Sequence, residues 1–136
     1  MALITDFYVA PASAAAKILD GTGTNKRSSY QTKSIDPLKL EMLENILAKR
    51  GAKIGDTAVV TDQDAEQWVA VVSPTLVALL AKLSDVDAAA KKWAAMPEMK
   101  ADGVPLKRVK ETLVKLVELA VEAATTKQQL LLLMSL

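Results

Sequence analysis

The sequence predicts an α+β domain in which a small sheet, including strands from both chain ends, is packed by four to five helices. Three observations lead to this class. The first residues alternate like a strand, the last residues form a short apolar run, and the chain between them carries several helical patterns with clear start signals. Its 136 residues suit one domain, so we assign residues 1–136 to a single domain.

Residues 2–9, ALITDFYV, predict the first strand, because β-forming residues dominate and alternate positions share a face. A short helix is predicted from Ser13 to Leu19, with Gly21 ending it. Residues 21–34 are rich in Gly, Ser and Thr, which predicts a long loop.

Two helices are predicted where a capping residue precedes proline. Asp36 and Pro37 begin a helix that continues to about Arg50. Ser73 and Pro74 begin another, because the serine hydroxyl can accept from free backbone N–H groups and proline loses nothing at the first helical position.

The segment between these helices reads as extended. Residues 56–62 and 66–72 are β-like runs on either side of an acidic connection, and we predict a hairpin. Residues 56–66 contain four carboxylates whose alternation suggests a calcium site. Their spacing lacks the glycine and the final glutamate of an EF-hand loop, so a hairpin connection is preferred; the four are Asp56, Asp62, Asp64 and Glu66.

Ser84 and Asp87 have the spacing of a capping box and predict a further helix. Its apolar stripe includes Trp93, for which a core position is the favoured interpretation, and Pro97 is expected to end it. Residues 97–105 read as a turn region, in which Met96 and Met99 are interpreted as core contacts or as an adaptable apolar patch.

The longest helix is predicted from Pro105 to Thr125 or Thr126. Its apolar residues hold one face for about five turns: Leu106, Val109, Leu113, Leu116, Val117, Ala120, Val121 and Ala124. The final residues, 130–136, have no polar face and cannot form an amphipathic surface helix. We therefore predict a strand with both faces buried, lying beside the N-terminal strand at the centre of the fold.

Composition limits the chemistry. The chain has no histidine and no cysteine, which excludes a disulfide, a thiol nucleophile, a Ser-His-Asp triad and metal sites built on those residues. We predict no metal and no cofactor. A formal net charge of +1 provides no overall field for nucleic acid or anionic lipid. No apolar window reaches membrane-spanning length, and the N-terminus lacks a basic start, so we expect a cytoplasmic protein without membrane association.

Five residues are predicted to contact a partner. Four lie in the 21–34 loop, where cations beside an aromatic ring are typical of single-stranded nucleic-acid binding, although a solvated loop is the favoured interpretation. The fifth is a tryptophan at the start of a β-like run, a residue type enriched in binding hot spots. These residues are Lys26, Arg27, Tyr30, Lys33 and Trp68.

Three segments resemble a group of small bacterial proteins of unassigned function. They contain a D-P-x-x-L start at Asp36, a proline-initiated LxxLL helix at Leu76, the A-x-x-W-A motif around Trp93, and the apolar C-terminal strand. The resemblance covers residues 35–136 and implies an intracellular bacterial origin. It implies no catalytic or binding residues.

The poor chemical inventory favours a non-enzymatic intracellular protein-binding module over an enzyme. Immunity proteins and antitoxins of bacterial conflict systems offer an analogy in size. One alternative is a small enzyme using carboxylate or lysine chemistry, with Asp6 beside Lys33 or Tyr30. A second is weak nucleic-acid binding through the 21–34 loop. Homodimerisation is a further option, since hydrophobic residues make up 51% of the chain.

Overall fold

The computed structural model describes residues 4–14, 29–48, 58–59 and 67–135. Five strands form one antiparallel sheet in the order β2-β1-β5-β4-β3. The strands are β1 (Ile4–Ala10), β2 (Ser29–Lys33), β3 (Ala58–Val59), β4 (Gln67–Val71) and β5 (Gln129–Ser135). The predicted α+β class is confirmed, because the N-terminal and C-terminal strands are neighbours in the sheet and helices cover it.

The C-terminal strand lies in the middle of the sheet. It pairs with β1 on one side, where Phe7 lies opposite Leu132, and with β4 on the other, where Ala70 lies opposite Leu132. Its side chains are buried on both faces, as predicted. Alternate residues belong to two clusters: Leu130, Leu132 and Met134 join the main core, and Leu131 and Leu133 join a smaller cluster with Ala10, Ala14 and Val69.

The described part of the chain contains five α-helices: α1 (Pro37–Ala48), α2 (Pro74–Ala81), α3 (Val86–Ala94), α4 (Pro97–Ala101) and α5 (Leu106–Thr126). The long helix α5 contacts β1, β2 and β5, and it also packs against α2 and α3. Trp93 is fully buried in the main core, as the apolar stripe of its helix predicts. Met99 is also fully buried.

The predicted capping residues are confirmed at two helices. Asp36 Oδ1 accepts from the Lys39 backbone N–H at 2.9 Å, and Ser73 Oγ accepts from that of Leu76 at 3.4 Å. The capping prediction for α3 is wrong by one residue, because Asp85, not Ser84, accepts from the third helical N–H. Ser84 and Asp85 each place a short polar side chain before the apolar stripe, and the backbone geometry decides which of them caps the helix.

Two other local predictions need correction. Residues 29–33 of the predicted 21–34 loop form the edge strand β2, since Tyr30 and Thr32 turn toward the core while their neighbours are exposed. Pro97 begins α4 instead of only ending α3, because proline is well suited to the first turn of a helix. Of the predicted 13–19 helix, residues 12–14 form a 3₁₀ turn and the remainder lies outside the described residues.

The predicted hairpin is confirmed, because β3 and β4 pair antiparallel, with Ala58 opposite Val71. Its acidic connection lies outside the described residues. The predicted bounds of α5 are also confirmed. Its C-terminus closes with Lys127 in the left-handed conformation and with a Gln128 N–H that donates to the Ala123 carbonyl at 2.9 Å. None of the described helices is both long enough and apolar enough to cross a membrane.

Candidate protein-binding surface

Of the five predicted partner-binding residues, the structure describes Tyr30, Lys33 and the backbone of Trp68, and these three do not lie together. Tyr30 and Lys33 lie on opposite faces of β2, because Tyr30 is level with the core residue Phe7 and Lys33 with Ile4. Trp68 lies in β4 opposite Met134, and its side chain is outside the described part of the structure. Two strands, β1 and β5, separate β4 from β2 in the sheet. Lys26 and Arg27 also lie outside the described residues.

The side chain of Tyr30 packs between the sheet and α5. Its ring is half-buried, and its hydroxyl lies 3.3 Å from Thr112 Oγ1 on α5. The same threonine lies 3.3 Å from Thr32 Oγ1, and nearby Thr5 Oγ1 donates to the Ile35 carbonyl at 2.5 Å. These hydroxyl groups satisfy one another where β1 and β2 meet α5. The ring of Tyr30 therefore packs against the core, and nucleic-acid binding through the 21–34 loop stays a prediction.

Asp6 lies on the opposite face of the sheet from Tyr30, so the proposed acid–base pair of these two residues is not formed. Its Oδ1 accepts from Gln31 Nε2 at 2.8 Å. Partial burial raises the pKa of the Asp6 carboxyl, and the bond from Gln31 opposes this shift. Burial also raises the pKa of Tyr8, with a further contribution from the negative charge of Asp6. Asp6 is thus a half-buried carboxylate whose ionisation lowers the free energy of unfolding at neutral pH.

We expect Asp6→Asn to stabilise the protein at pH 7. Because the folded pKa of Asp6 lies above its ordinary value of 3.8, the folded state binds more protons between these two values, and parent stability falls as pH rises through that window. Asparagine has no such dependence and can still accept from Gln31. Urea denaturation from pH 3 to 7 should show a stability difference that disappears on acidification. A difference that grows on acidification would contradict this account.

A buried lysine, not singled out by the sequence, joins α1 to α4. The Lys39 side chain is 3% exposed, and its Nζ contacts Asp102 Oδ2 and lies 3.6 Å from Asp36 Oδ2. Its backbone carbonyl accepts from Trp93 Nε1 at 2.9 Å. The arrangement ties α1, α3 and α4 together. The i, i+3 spacing of Asp36 and Lys39 could have predicted their ion pair. It could not have predicted the contact of Lys39 with Asp102, which is distant in the sequence.

Asp102→Asn should destabilise the fold by about 1–3 kcal/mol, because it removes a charge that compensates the buried ammonium group. Asp102 is itself half-exposed, so the loss should be smaller than for a fully buried pair. Lys39→Met keeps the aliphatic stem and removes the charge, so it should remain within about 1 kcal/mol of the parent. Urea denaturation tests both variants. A larger loss for Lys39→Met than for Asp102→Asn would contradict the assignment.

Helix α5 carries an exposed apolar stripe. Among the described residues, four large hydrophobic side chains are exposed, and three lie on α5: Leu106 at 46%, Val114 at 38% and Val121 at 44%, with Leu38 of α1 at 50%. Leu106, Val114 and Val121 follow helical spacing along one side of α5, and we call them the α5 stripe. The half-buried Val117 adjoins it.

The α5 stripe consists of apolar residues that the sequence pattern placed in the core or beside it and that are exposed in the structure. The sequence pattern predicts that Leu106, Val121 and Ala124 share the buried face of α5. In the structure the buried face is displaced around the helix. Val109, Leu113, Leu116 and Ala120 are buried as predicted, Thr112, Leu119 and Ala123 are buried in addition, and Leu106, Val121 and Ala124 are exposed. The hydroxyl contacts of Thr112 with β2 accompany this rotation. Part of the apolar face of α5 is therefore exposed at the surface.

An open apolar cavity lies beside the C-terminal end of the stripe. It has a volume of about 240 Å³ and lies where the start of α2 meets the end of α5. Its walls are Val72, Pro74, Val77, Ala78, Ala124 and Leu130, with Gln128 and Gln129 contributing the polar lining. Ala124 is one helical turn from Val121, so stripe and cavity are neighbours along α5. The cavity suits one apolar side chain.

A second open cavity, of about 300 Å³, lies between the end of α1 and the start of α3. Its ionisable lining residues are Asp85 and Lys92, and the Asp85 carboxylate already caps α3. Neither cavity includes Asp6, Lys33 or Tyr30. Within the described ranges, no group of three or more acidic side chains is arranged to hold a metal ion.

Basic residues lie beside the N-terminal part of the stripe. Lys110, one turn from both Leu106 and Val114, forms a 2.7 Å ion pair with Asp87 of α3. The hydrogen bond and positive charge of Lys110 lower the pKa of Asp87, with a smaller contribution from the charge of Lys91. Lys107 lies next to Leu106 in the first turn. Lys110 therefore lies between Leu106 and Val114 along α5, among charged residues of both signs.

Comparison of the chain with protein-family models, curated proteins and solved structures found no match in any of the three. The resemblance to small bacterial proteins therefore stays a prediction, and the functional argument depends on the surface itself.

Proposed function

We propose that this chain is a non-enzymatic, cytoplasmic protein-binding module that contacts its partner through the α5 stripe and the adjoining cavity. The observation that supports the proposal is the partial exposure of three large apolar side chains, Leu106, Val114 and Val121, on one side of α5. Exposed apolar side chains that cluster on one side of an element and are rimmed by polar residues are typical of interaction sites.

The anatomy of the surface supports this interpretation. An apolar cavity with room for one side chain lies next to the stripe and offers an anchor point. Polar and charged residues border it, as in the rim of a protein interface. The lining of the first cavity holds no ionisable residue, and the Asp85 carboxylate that lines the second together with Lys92 already caps α3. Neither lining favours the carboxylate or lysine enzyme of the alternative hypothesis. The narrower proposal of an immunity- or antitoxin-like protein rests on analogy in size and composition.

The test compares the parent with Val114→Gln/Val121→Gln, which removes apolar contacts and retains good helix formers. Affinity purification from the source organism should retain one specific protein on the parent. That protein should be lost from the double variant and should form a defined complex with the parent when both are purified. The matched control is Leu38→Gln, an equally exposed leucine on α1.

Denaturation curves should show parent-like stability for both variants, since all three side chains are exposed. Equal retention of the partner by the double variant and the parent would overturn the proposed surface. A partner lost equally from the Leu38→Gln control would overturn it as well.

A further inference from the structure

We propose that the α5 stripe pairs with the α5 stripe of a second copy of this chain, with the two helices antiparallel about a two-fold axis. This inference rests on the proposed function and identifies its partner. The exposed leucine of the stripe and the apolar cavity lie at opposite ends of α5. Leu106 is 46% exposed in the first turn, and Ala124, in the last turn, is a wall of the cavity.

These two ends are complementary in shape. The cavity has a volume of about 240 Å³ and apolar walls, so it can take one leucine side chain. Leu106 and Ala124 are about five helical turns apart, so they lie on the same side of α5. A two-fold axis at the middle of the helix therefore places Leu106 of one copy beside Ala124 of the other. Both contacts form together, as in an isologous interface.

The same axis brings the valines of the stripe together. Val114 lies beside Val117 of the second copy, and Val121 lies near Lys110 of that copy. Val114 and Val121 are exposed and Val117 is half-buried, so the centre of the contact is apolar. Lys110 is compatible with this centre, because its ammonium group pairs with Asp87 of α3 at 2.7 Å and its aliphatic stem can lie along the stripe.

The order of charges along α5 suits an antiparallel pairing. The half before Val114 has three cations and one anion, a net charge of +2, and the half after Lys115 has two anions: Lys107, Arg108, Lys110 and Glu111, then Glu118 and Glu122. Antiparallel pairing sets the basic half of each copy against the acidic half of the other, whereas parallel pairing sets like charges together. One chain thus carries both parts of the contact, in shape and in charge, and a second copy supplies both.

Glu111 is the exception to this charge order. It approaches Glu118 of the second copy, which is a contact between like charges. The Glu118 carboxylate already pairs with Lys115 of its own helix at 3.4 Å, and this ion pair offsets its charge. Both side chains of that pair are more than half exposed, so water screens the remaining repulsion.

Sedimentation velocity of the full chain over a range of concentrations tests the pairing. The parent should show a monomer–dimer equilibrium. Val121→Gln should weaken association about tenfold or more, because each dimer loses two apolar contacts. The matched control is Leu38→Gln, an equally exposed leucine on α1, which should associate like the parent. A monomer at every concentration, or equal weakening in both variants, would overturn the inference.

Single cysteines test the antiparallel geometry, because the chain has no cysteine of its own. In the proposed dimer, the two copies of Val114 lie close to the two-fold axis, whereas the two copies of Leu106 are about 27 Å apart along the helices. Val114→Cys should therefore form a disulfide-linked dimer under mild oxidation, and Leu106→Cys, on the same stripe, should not. Equal cross-linking of both variants, or cross-linking of neither, would overturn the antiparallel arrangement.

The proposed function and this inference can fail separately. If the parent is monomeric while a different protein is retained on it and lost from Val114→Gln/Val121→Gln, the proposed function stands and the self-pairing inference fails. If the double variant no longer dimerises but retains such a protein as the parent does, the stripe pairs with a second copy and the proposed function fails for this surface.

Discussion

Leu132→Asp is expected to abolish the folded state. Leu132 is fully buried in the central strand β5, between Phe7 of β1 and Ala70 of β4. Removing its side chain from the core costs about 2–3 kcal/mol, and placing a carboxylate there costs several more. The sum approaches or exceeds the stability of about 5–15 kcal/mol that a whole domain has.

Far-UV circular dichroism and urea denaturation measure this effect, and Gln129→Asp is the matched control. Gln129 lies in the same strand but is exposed, so its substitution should change the free energy of unfolding by less than about 1 kcal/mol. A cooperative transition for Leu132→Asp near the parent midpoint would contradict the central position of β5. Equal losses for both variants would contradict the difference in their burial.

Trp93→Ala should cost about 3–5 kcal/mol, the usual loss on truncating a large buried aromatic residue. Trp93 lies in the main core on α3, and its indole N–H donates to the Lys39 carbonyl of α1. The substitution removes packing and the hydrogen bond together. The carbonyl that loses its donor belongs to the lysine that also holds Asp102, so the effect should extend to the α1–α4 contact.

Trp93→Phe separates the two contributions. It keeps most of the apolar volume and leaves the Lys39 carbonyl without its donor, so the expected loss is about 1–3 kcal/mol. Urea denaturation followed by circular dichroism is the appropriate measurement, since Trp68 would complicate a fluorescence signal. A phenylalanine variant as unstable as the alanine variant would assign the whole effect to the hydrogen bond. Parent-like stability of Trp93→Ala would contradict the core position.

Much of the fold followed from local patterns. Residues 130–136 have no polar face, and a strand buried on both sides was the structure compatible with that run and its length. Asp36 and Ser73 marked helix starts, because a capping oxygen acts on backbone groups only three residues away. Such features depend only on residues that are close in the sequence, so they can be predicted from the sequence alone.

The candidate surface could be predicted only in part. The sequence indicated an apolar face on α5 but placed Leu106 and Val121 in the core. The structure exposes them because sheet and helix contacts set the rotation of α5 about its axis. A helix pattern shows which residues are apolar. Which of them are buried depends on the position of the partner elements, and an apolar face wider than the contact leaves a remainder at the surface.

From its amino-acid order alone, this protein is determined to have an aliphatic core, chemistry without histidine or cysteine, and two termini that both form strands. Tertiary structure decided that β2 is an edge strand, that Lys39 is buried against Asp102, and which side of α5 faces outward. The reason is the separation along the sequence over which each effect acts. Periodicity and capping act over a few residues, whereas burial of a given side chain depends on segments 60 or more positions away, as in the Lys39–Asp102 pair.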